Sequence, residues 1–318
     1  MKKLIQTVLG RIKPEKLGFT QCHEHLLLSK GRSFQIHPAL RMDEPEKSLK
    51  EVLDYKEAGG CTLVEAQPTG CNRVSRGLEE ISKASGVHIV ASTGFHKLQF
   101  YPERHWIHEL EERKLSEVFE GELTEGMYIQ ADQQWRQERH PARAGIIKTA
   151  LDSCGMTEPY ERLFRAAVRA HRNTGAPMMV HIEKESSPER LARTLKEWGA
   201  DPEKIYFCHM DRACSGREAF LRVLDAGFSL EFDTIGRFKY HSDAFELELF
   251  KTFLKLGYEN QLLFSLDTTR ERLKTYTPEG VGLTYILETF LPAMRESGIT
   301  ERQIEKISVE NPARILAW

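Results

Sequence analysis

The 318-residue sequence predicts an α/β fold, a single (β/α)8 TIM barrel over 1–318. Three observations predict it. Eight short apolar runs recur along the chain. Amphipathic segments that stop at glycine separate several of them. No linker rich in Gly, Pro or Ser, no low-complexity tract and no repeat divides the chain. Strands that alternate with helices pair in parallel, and eight such units close into a barrel.

The runs follow in order. The first, 17–23, leads into "GFTQCHEHLLLSKG", where His23 and His25 stand two apart. Side chains alternate along a strand, so both imidazoles face one way, and Cys22 and Glu24 face the other. Two neutral imidazoles on one face suit a divalent ion such as zinc. Runs two and three are 61–67 and 87–94. An oversized unit, 95–143, follows with Tyr101, Trp106, Tyr128 and Trp135; it reads as a helix plus an elaborated loop over the barrel mouth. Run four, 144–149, carries Lys148. A helix over 159–174 sets Leu163, Ala166, Ala167 and Ala170 on one stripe and stops at Gly175. Run five, 177–181, ends in His181, and Ser187-Pro188 opens the next helix with proline in its first turn. Run six, 205–209, ends in His209. A helix over 215–226 precedes run seven, 228–232, and another over 243–256 precedes run eight, 262–266, with Asp267 just beyond.

Barrel active sites form at the C-terminal ends of the strands. Four of the twelve histidines fall there, with one lysine and one aspartate. Taken singly, a histidine at a strand end is more often a hydrogen-bonded structural residue, Lys148 reaches solvent, and Asp267 caps the next helix. Taken together, the order His-x-His, Lys, His, His, Asp has no packing rationale and points to metal chemistry. The lysine needs its own explanation. An ammonium of pKa ~10.4 offers no lone pair. Burial lowers that pKa and frees the amine. A free amine takes up CO2 to become a carbamate, an anion with two oxygens that can bridge two metals.

These motifs resemble the phosphotriesterase family of the amidohydrolase superfamily over nearly the whole chain. The likeness starts at "GRIKPEKLGFTQCHEHLLL" and is most specific in "AGIIKTALDSCGMTEPYERLFRAAVRAHRNTGAPMMVHIE". It continues through "CHMDR" and "SLDTTR" to "VENPARILAW". The resemblance implies a binuclear site. His23, His25 and Asp267 would hold the more buried metal, His181 and His209 the other, with carboxylated Lys148 and a hydroxide between them. Zinc is the expected ion, with Mn, Co or Fe as substitutes. The implied reaction is hydrolysis by metal-activated hydroxide, with Asp267 as proton shuttle.

For the substrate, the loops after strands seven and eight are basic. "FDTIGRFKYHSD" offers Arg237, Lys239, Tyr240 and His241; "DTTRERLKTYTPEG" offers Arg270, Arg272, Lys274 and Tyr276. Barrel enzymes commonly dock phosphate at these loops. With Lys97 in "GFHKLQFYPERHWIHE", the pattern resembles the family's lactonases of phosphorylated sugars. The expected substrate is a lactone of a five-carbon sugar acid with a terminal phosphate, contacted by Lys97, Lys239, Tyr240, Arg270, Arg272 and Tyr276. Alternatives are a phosphotriester, an unphosphorylated or acyl-homoserine lactone, or a metal-binding barrel without turnover.

The bulk composition narrows the rest. Forty-five Lys and Arg against forty-seven Asp and Glu leave a net charge of −2, so no basic field argues for nucleic acid or an anionic membrane. No apolar stretch approaches the ~20 residues of a membrane span. The opening "MKKLIQTVLGRIKPEKLG" lacks the apolar core and cleavage site of a signal peptide. Six scattered cysteines without a CxxC pair suggest reduced, buried thiols in a cytoplasmic protein. The resemblance suggests a homodimer, to which 95–143 would contribute.

Overall fold

The computed structural model describes residues 3–132, 138–214 and 216–318; Trp135 lies outside these. Each of the eight runs overlaps a strand: β1 (Thr20–Glu24), β2 (Thr62–Glu65), β3 (His88–Gly94), β4 (Ile146–Leu151), β5 (Met178–Ile182), β6 (Ile205–Cys208), β7 (Ser229–Phe232) and β8 (Leu262–Phe264), of which β1, β4 and β5 extend one or two residues beyond the expected end. They hydrogen-bond in sequence order, every pair parallel. The strand pleat sorts apolar residues into two layers. Leu63, Ile89, Ile147, Val180 and Phe207 pack outward against helices. Their neighbours Val64, Val90, Ile146, Met179 and Tyr206 fill the barrel.

The helices that cover the sheet are α1 (Pro45–Glu57), α2 (Ser75–Ser85), α3 (Glu112–Thr124), α4 (Glu158–Thr174), α5 (Pro188–Glu197), α6 (Arg217–Asp225) and α7 (Asp243–Lys255), before a closing helical run over 286–296 and 301–316. Helix α4 ends at Gly175, whose φ of +78° is the left-handed conformation the C-terminal stop requires. No described helix is long and apolar enough to cross a membrane. Two short antiparallel strand pairs, 5–7 with 10–12 and 127–128 with 139–140, were not among the expected elements. The first helps floor the barrel, where Ile5 packs with Ile315 and Leu316. Among the six cysteines, which form no disulfide, Cys22, Cys71 and Cys208 are buried as expected, but Cys154 is exposed.

Strict alternation fails in β1. Gln21 pairs with Leu63, but Glu24 pairs with Glu65, so three steps on β1 face two on β2. This β-bulge changes where Cys22 goes: it packs inside the barrel with Val64, Tyr206 and Cys208, beneath the site and on the same side as His23.

The last seam, between β8 and β1, is closed by side chains. Glu24 faces away from the barrel axis and accepts from Ser265 Oγ (2.7 Å), Leu266 N (2.9 Å), Thr268 N (3.1 Å) and Thr268 Oγ1 (2.7 Å). The His23 amide donates to Ser265 Oγ and the His25 amide to Thr268 Oγ1, and the Asp267 amide donates to His23 O. Burial raises the Glu24 pKa against the opposing effect of these hydrogen bonds.

The 95–143 excursion is a short helix, Trp106–Glu109, the regular helix α3 and the second strand pair. His105 caps the short helix: its Nδ1 accepts from the Ile107 amide and its Nε2 lies 3.3 Å from Ala131 O.

Glu24→Ala strands the Leu266 and Thr268 amides and leaves the Ser265 and Thr268 hydroxyls only the His23 and His25 carbonyls; it is expected to cost about 3–5 kcal/mol in urea unfolding. Ser265→Ala should cost about 1–2 kcal/mol. No loss for Glu24→Ala would mean that the seam is held elsewhere. Burial also pushes the His105 pKa from 6.5 down to about 4. Between these values the unfolded chain binds more protons, so this residue's contribution is complete above about pH 6.5 and fades as pH falls to about 4, by about 2–3 kcal/mol. His105→Asn is expected to flatten the stability–pH curve in that window; an unchanged slope would assign it to other groups.

Candidate metal centre

The C-terminal ends of the strands bring the six expected ligands together. His23 Nε2 lies 3.1 Å from Lys148 Nζ and 3.7 Å from Asp267 Oδ1. His25 Nε2 is also 3.7 Å from Asp267 Oδ1. The His209 ring centre is 4.8 Å from that of His23 and 4.3 Å from that of His181. One ligand atom from each of His23, His209 and Asp267 fits within 4.8 Å. His209 and Asp267 sit at φ +62° and +49°, left-handed conformations that non-glycine residues hold at a cost of about 1–3 kcal/mol.

Three of the four imidazoles are aimed from behind. His23 Nδ1 lies 3.3 Å from Glu231, His25 Nδ1 3.2 Å from Glu65, and His209 Nδ1 2.7 Å from Asp233. A carboxylate takes the Nδ1 proton and leaves the Nε2 lone pair facing the site. His181 is turned the other way, with Nε2 3.4 Å from Glu183 and Nδ1 left as its donor atom. Asp211 in turn holds the end of β7, accepting from the Asp233 and Thr234 amides and the Thr234 hydroxyl.

Burial favours the neutral form of His23, His181, His209 and Lys148. Burial, then the Lys148 charge, lowers the His23 pKa, and burial with the Arg212 charge lowers that of His209. Burial brings His181 to about 3. Lys148 is 0% exposed, and burial lowers its pKa as well. The buried Glu231 and Asp233 are pushed up by desolvation. Four imidazoles, an amine and a carboxylate converge here, and the amine has a ring nitrogen as its hydrogen-bond partner. This donor set fits divalent cations of the zinc type.

The substrate candidates separate into groups. Lys97 stands at the mouth beside His181, paired to Glu183 at 2.6 Å. Lys239 and Tyr240 lie together at the rim. The Tyr240 hydroxyl accepts from Arg212 at 3.2 Å, and Arg212, Arg237 and Lys239 surround its ring at 5.3, 5.7 and 5.1 Å. Arg270 is elsewhere, bound to Glu44 at 3.0 Å and to the Arg41 carbonyl. The Tyr276 hydroxyl is spent on Ser48 and the Glu44 backbone. Arg272 is buried and holds the Ile235 and Gly236 carbonyls. The structure places these last three as braces between loops rather than with Lys239 and Tyr240. In each case a neighbouring loop supplies acceptors that the sequence does not display.

Sequence reasoning missed Glu65, Glu183, Asp211, Arg212, Glu231 and Asp233. One signal was available: acids within apolar strands, as in "TLVEA" and "SLEFD", need buried partners.

Comparisons with known proteins agree with this geometry. The profile of the phosphotriesterase family matches residues 3–316. A phospho-furanose lactonase of Mycoplasmopsis synoviae is 30% identical, covering 99% of this chain and 92% of its own. An N-acetyltaurine hydrolase of Danio rerio is 29% identical, with coverages of 99% and 98%. The crystal structure of an amidohydrolase from Mycoplasma synoviae superposes with a TM-score of 0.94 at 29% identity, covering 100% of this chain and 92% of that one. A phosphotriesterase homology protein from Escherichia coli, with phosphate in its active site, gives 0.85 at 25%, covering 95% and 99%.

Asp233→Asn leaves one acceptor oxygen where two are used, so either the His209 ring or the His209 amide faces an NH2 group. The substitution is expected to weaken divalent-ion binding about 10–100-fold, measured by competition with a chelator. Unchanged affinity would show that His209 needs no aim.

Proposed function

The chain belongs to the phosphotriesterase family, and on that premise we propose that it is a metal-dependent hydrolase that opens a small lactone, specifically the lactone of a phosphorylated five-carbon sugar acid. The observation that carries this reading is one rim holding two features. Six ligand side chains converge at its centre. Beside them, Arg212, Arg237 and Lys239 gather around Tyr240. Arg212 and Lys239 supply the charge and hydrogen bonds that a phosphate requires. The phospho-furanose lactonase and the phosphate-bound Escherichia coli protein support that substrate class.

We assign His23, His25 and Asp267 to one ion and His181 and His209 to the other, with zinc as the ion that suits imidazole and carboxylate together. Two such cations, when bound, polarise a carbonyl oxygen and lower the pKa of a water to near neutrality. Lys148 holds the place between them. Its amine, once deprotonated, adds CO2 through a new Nζ–C bond, loses a further proton, and would present two carbamate oxygens. Asp267 takes the proton of the attacking water on a carboxylate oxygen and hands it to the ring oxygen as the ester bond breaks. Arg212, Lys239 and Tyr240 anchor the phosphate at the rim, and Lys97 orients the sugar from the side of His181. Arg270, Arg272 and Tyr276 keep the surrounding loops in place.

A second reading keeps the centre and changes the bond. The N-acetyltaurine hydrolase relative favours an amide that carries an anionic group. A substrate panel separates the two. The phosphorylated lactone should exceed its unphosphorylated analogue, N-acetyltaurine and a phosphotriester by about tenfold or more in kcat/KM. Lys239→Ala should lower the phosphorylated value about 10–100-fold and the unphosphorylated one less than about threefold. Chelation should abolish turnover, and added Zn or Mn should restore it. Faster turnover of N-acetyltaurine would select the amide reading, and turnover that survives chelation would remove both.

A further inference from the structure

Arg237 stands one residue beyond Gly236 on the loop that leaves β7, and its guanidinium is given over to a single residue. Nη1 donates to Asp267 Oδ2 at 2.6 Å, and Nη2 donates to the Asp267 carbonyl oxygen at 3.2 Å. The second carboxylate oxygen, Oδ1, lies 3.7 Å from Nε2 of both His23 and His25. The carboxylate is thus divided, one oxygen to a cation and one to the imidazole pair. Asp267 also holds φ at +49°, which persists only where the surroundings fix it. Its amide is held by the His23 carbonyl at 3.0 Å. Arg237 supplies the restraint on the side chain and on the carbonyl.

The loop that presents Arg237 is locked in its turn. Arg272 holds the Ile235 and Gly236 carbonyls, and the Gly236 amide donates to Asp243 at 2.7 Å. Gly236 has φ +68°, and a Cβ there would press on the Tyr285 ring at 2.9 Å. A planar fork with two fixed donors suits two acceptors on one residue, whereas a lysine offers a single point charge.

We propose that Arg237 is a positioning residue for the reaction: it aims Asp267 Oδ1 at His23 and His25, and it does not bind the substrate phosphate. The inference rests on the assignment of Asp267 as ligand and proton carrier. It sets Arg237 apart from Arg212 and Lys239, although all three lie around the same tyrosine.

The test uses Arg237→Met and Arg237→Lys in the metal-loaded enzyme. Two quantities are read: the half-time of metal loss to a chelator, and kcat and KM for the phosphorylated lactone and its unphosphorylated analogue. Arg237→Met is expected to lose metal about 10–100-fold faster, and its kcat should fall by a similar factor on both substrates, with KM within about threefold. Arg237→Lys should recover part of the metal retention. A loss confined to KM for the phosphorylated substrate would make Arg237 an anion ligand and overturn the proposal. So would parent-like metal retention and kcat in Arg237→Met. Asp267→Asn, run alongside, separates the two claims. If it is impaired while Arg237→Met is not, the positioning role fails and the ligand assignment stands. If it behaves as the parent does, both fall together.

Discussion

An imidazole in a dry barrel has two nitrogens and must satisfy both. If the rear nitrogen finds no acceptor, the ring turns until it does, and the front nitrogen then points nowhere useful. Here Glu65, Glu231 and Asp233 take the rear nitrogens of His25, His23 and His209. Every other property of the centre follows from those contacts. They select the tautomer, turn the lone pairs inward, and keep the rings apart at fixed spacing. They also put carboxylates where none would otherwise be stable, which is why the deep, desolvated Lys148 sits among them. Asp211 adds a further tier by anchoring the backbone from which Asp233 projects. The arrangement is therefore built in depth, from backbone amide to carboxylate to ring.

The barrel seam bears on the same centre. His23 and His25 belong to the end of β1, while Asp267 follows β8, so the expected ligands straddle the one junction that lacks a main-chain ladder. Glu24, lying between the two histidines in sequence, stitches that junction with four accepted hydrogen bonds. The stretch His-Glu-His thus divides its labour: the histidines face the centre and the glutamate holds the wall in which they are set.

Much of this was legible in the sequence. The eight runs each overlap a strand because short apolar stretches bounded by glycine and polar residues have few other uses in a chain of this composition. The strand-end groups stood out because they interrupt apolar runs at equivalent places. The supporting acids did not stand out, since a glutamate such as Glu65 or Glu231 looks like the polar end of a strand until its partner is visible. The cations of the rim were legible as a set and illegible one by one. Arg237, Arg270 and Arg272 occupy similar loops, yet one meets Asp267, one meets Glu44, and one is buried against two carbonyls. Which way a long side chain turns is decided by acceptors on other loops, between 30 and 226 positions away in the chain.

The bulge in β1 has a consequence at the level of the gene. With one residue fewer between Gln21 and Glu24, the strand could still pair regularly with β2 and fill its share of the interior. Loss of the Cys22 codon there would keep His23 on the inner face but lower it to the level of Val64, where Cys22 now packs beneath the centre. Sequence drift in this segment is accordingly constrained by the number of residues as well as by their kind.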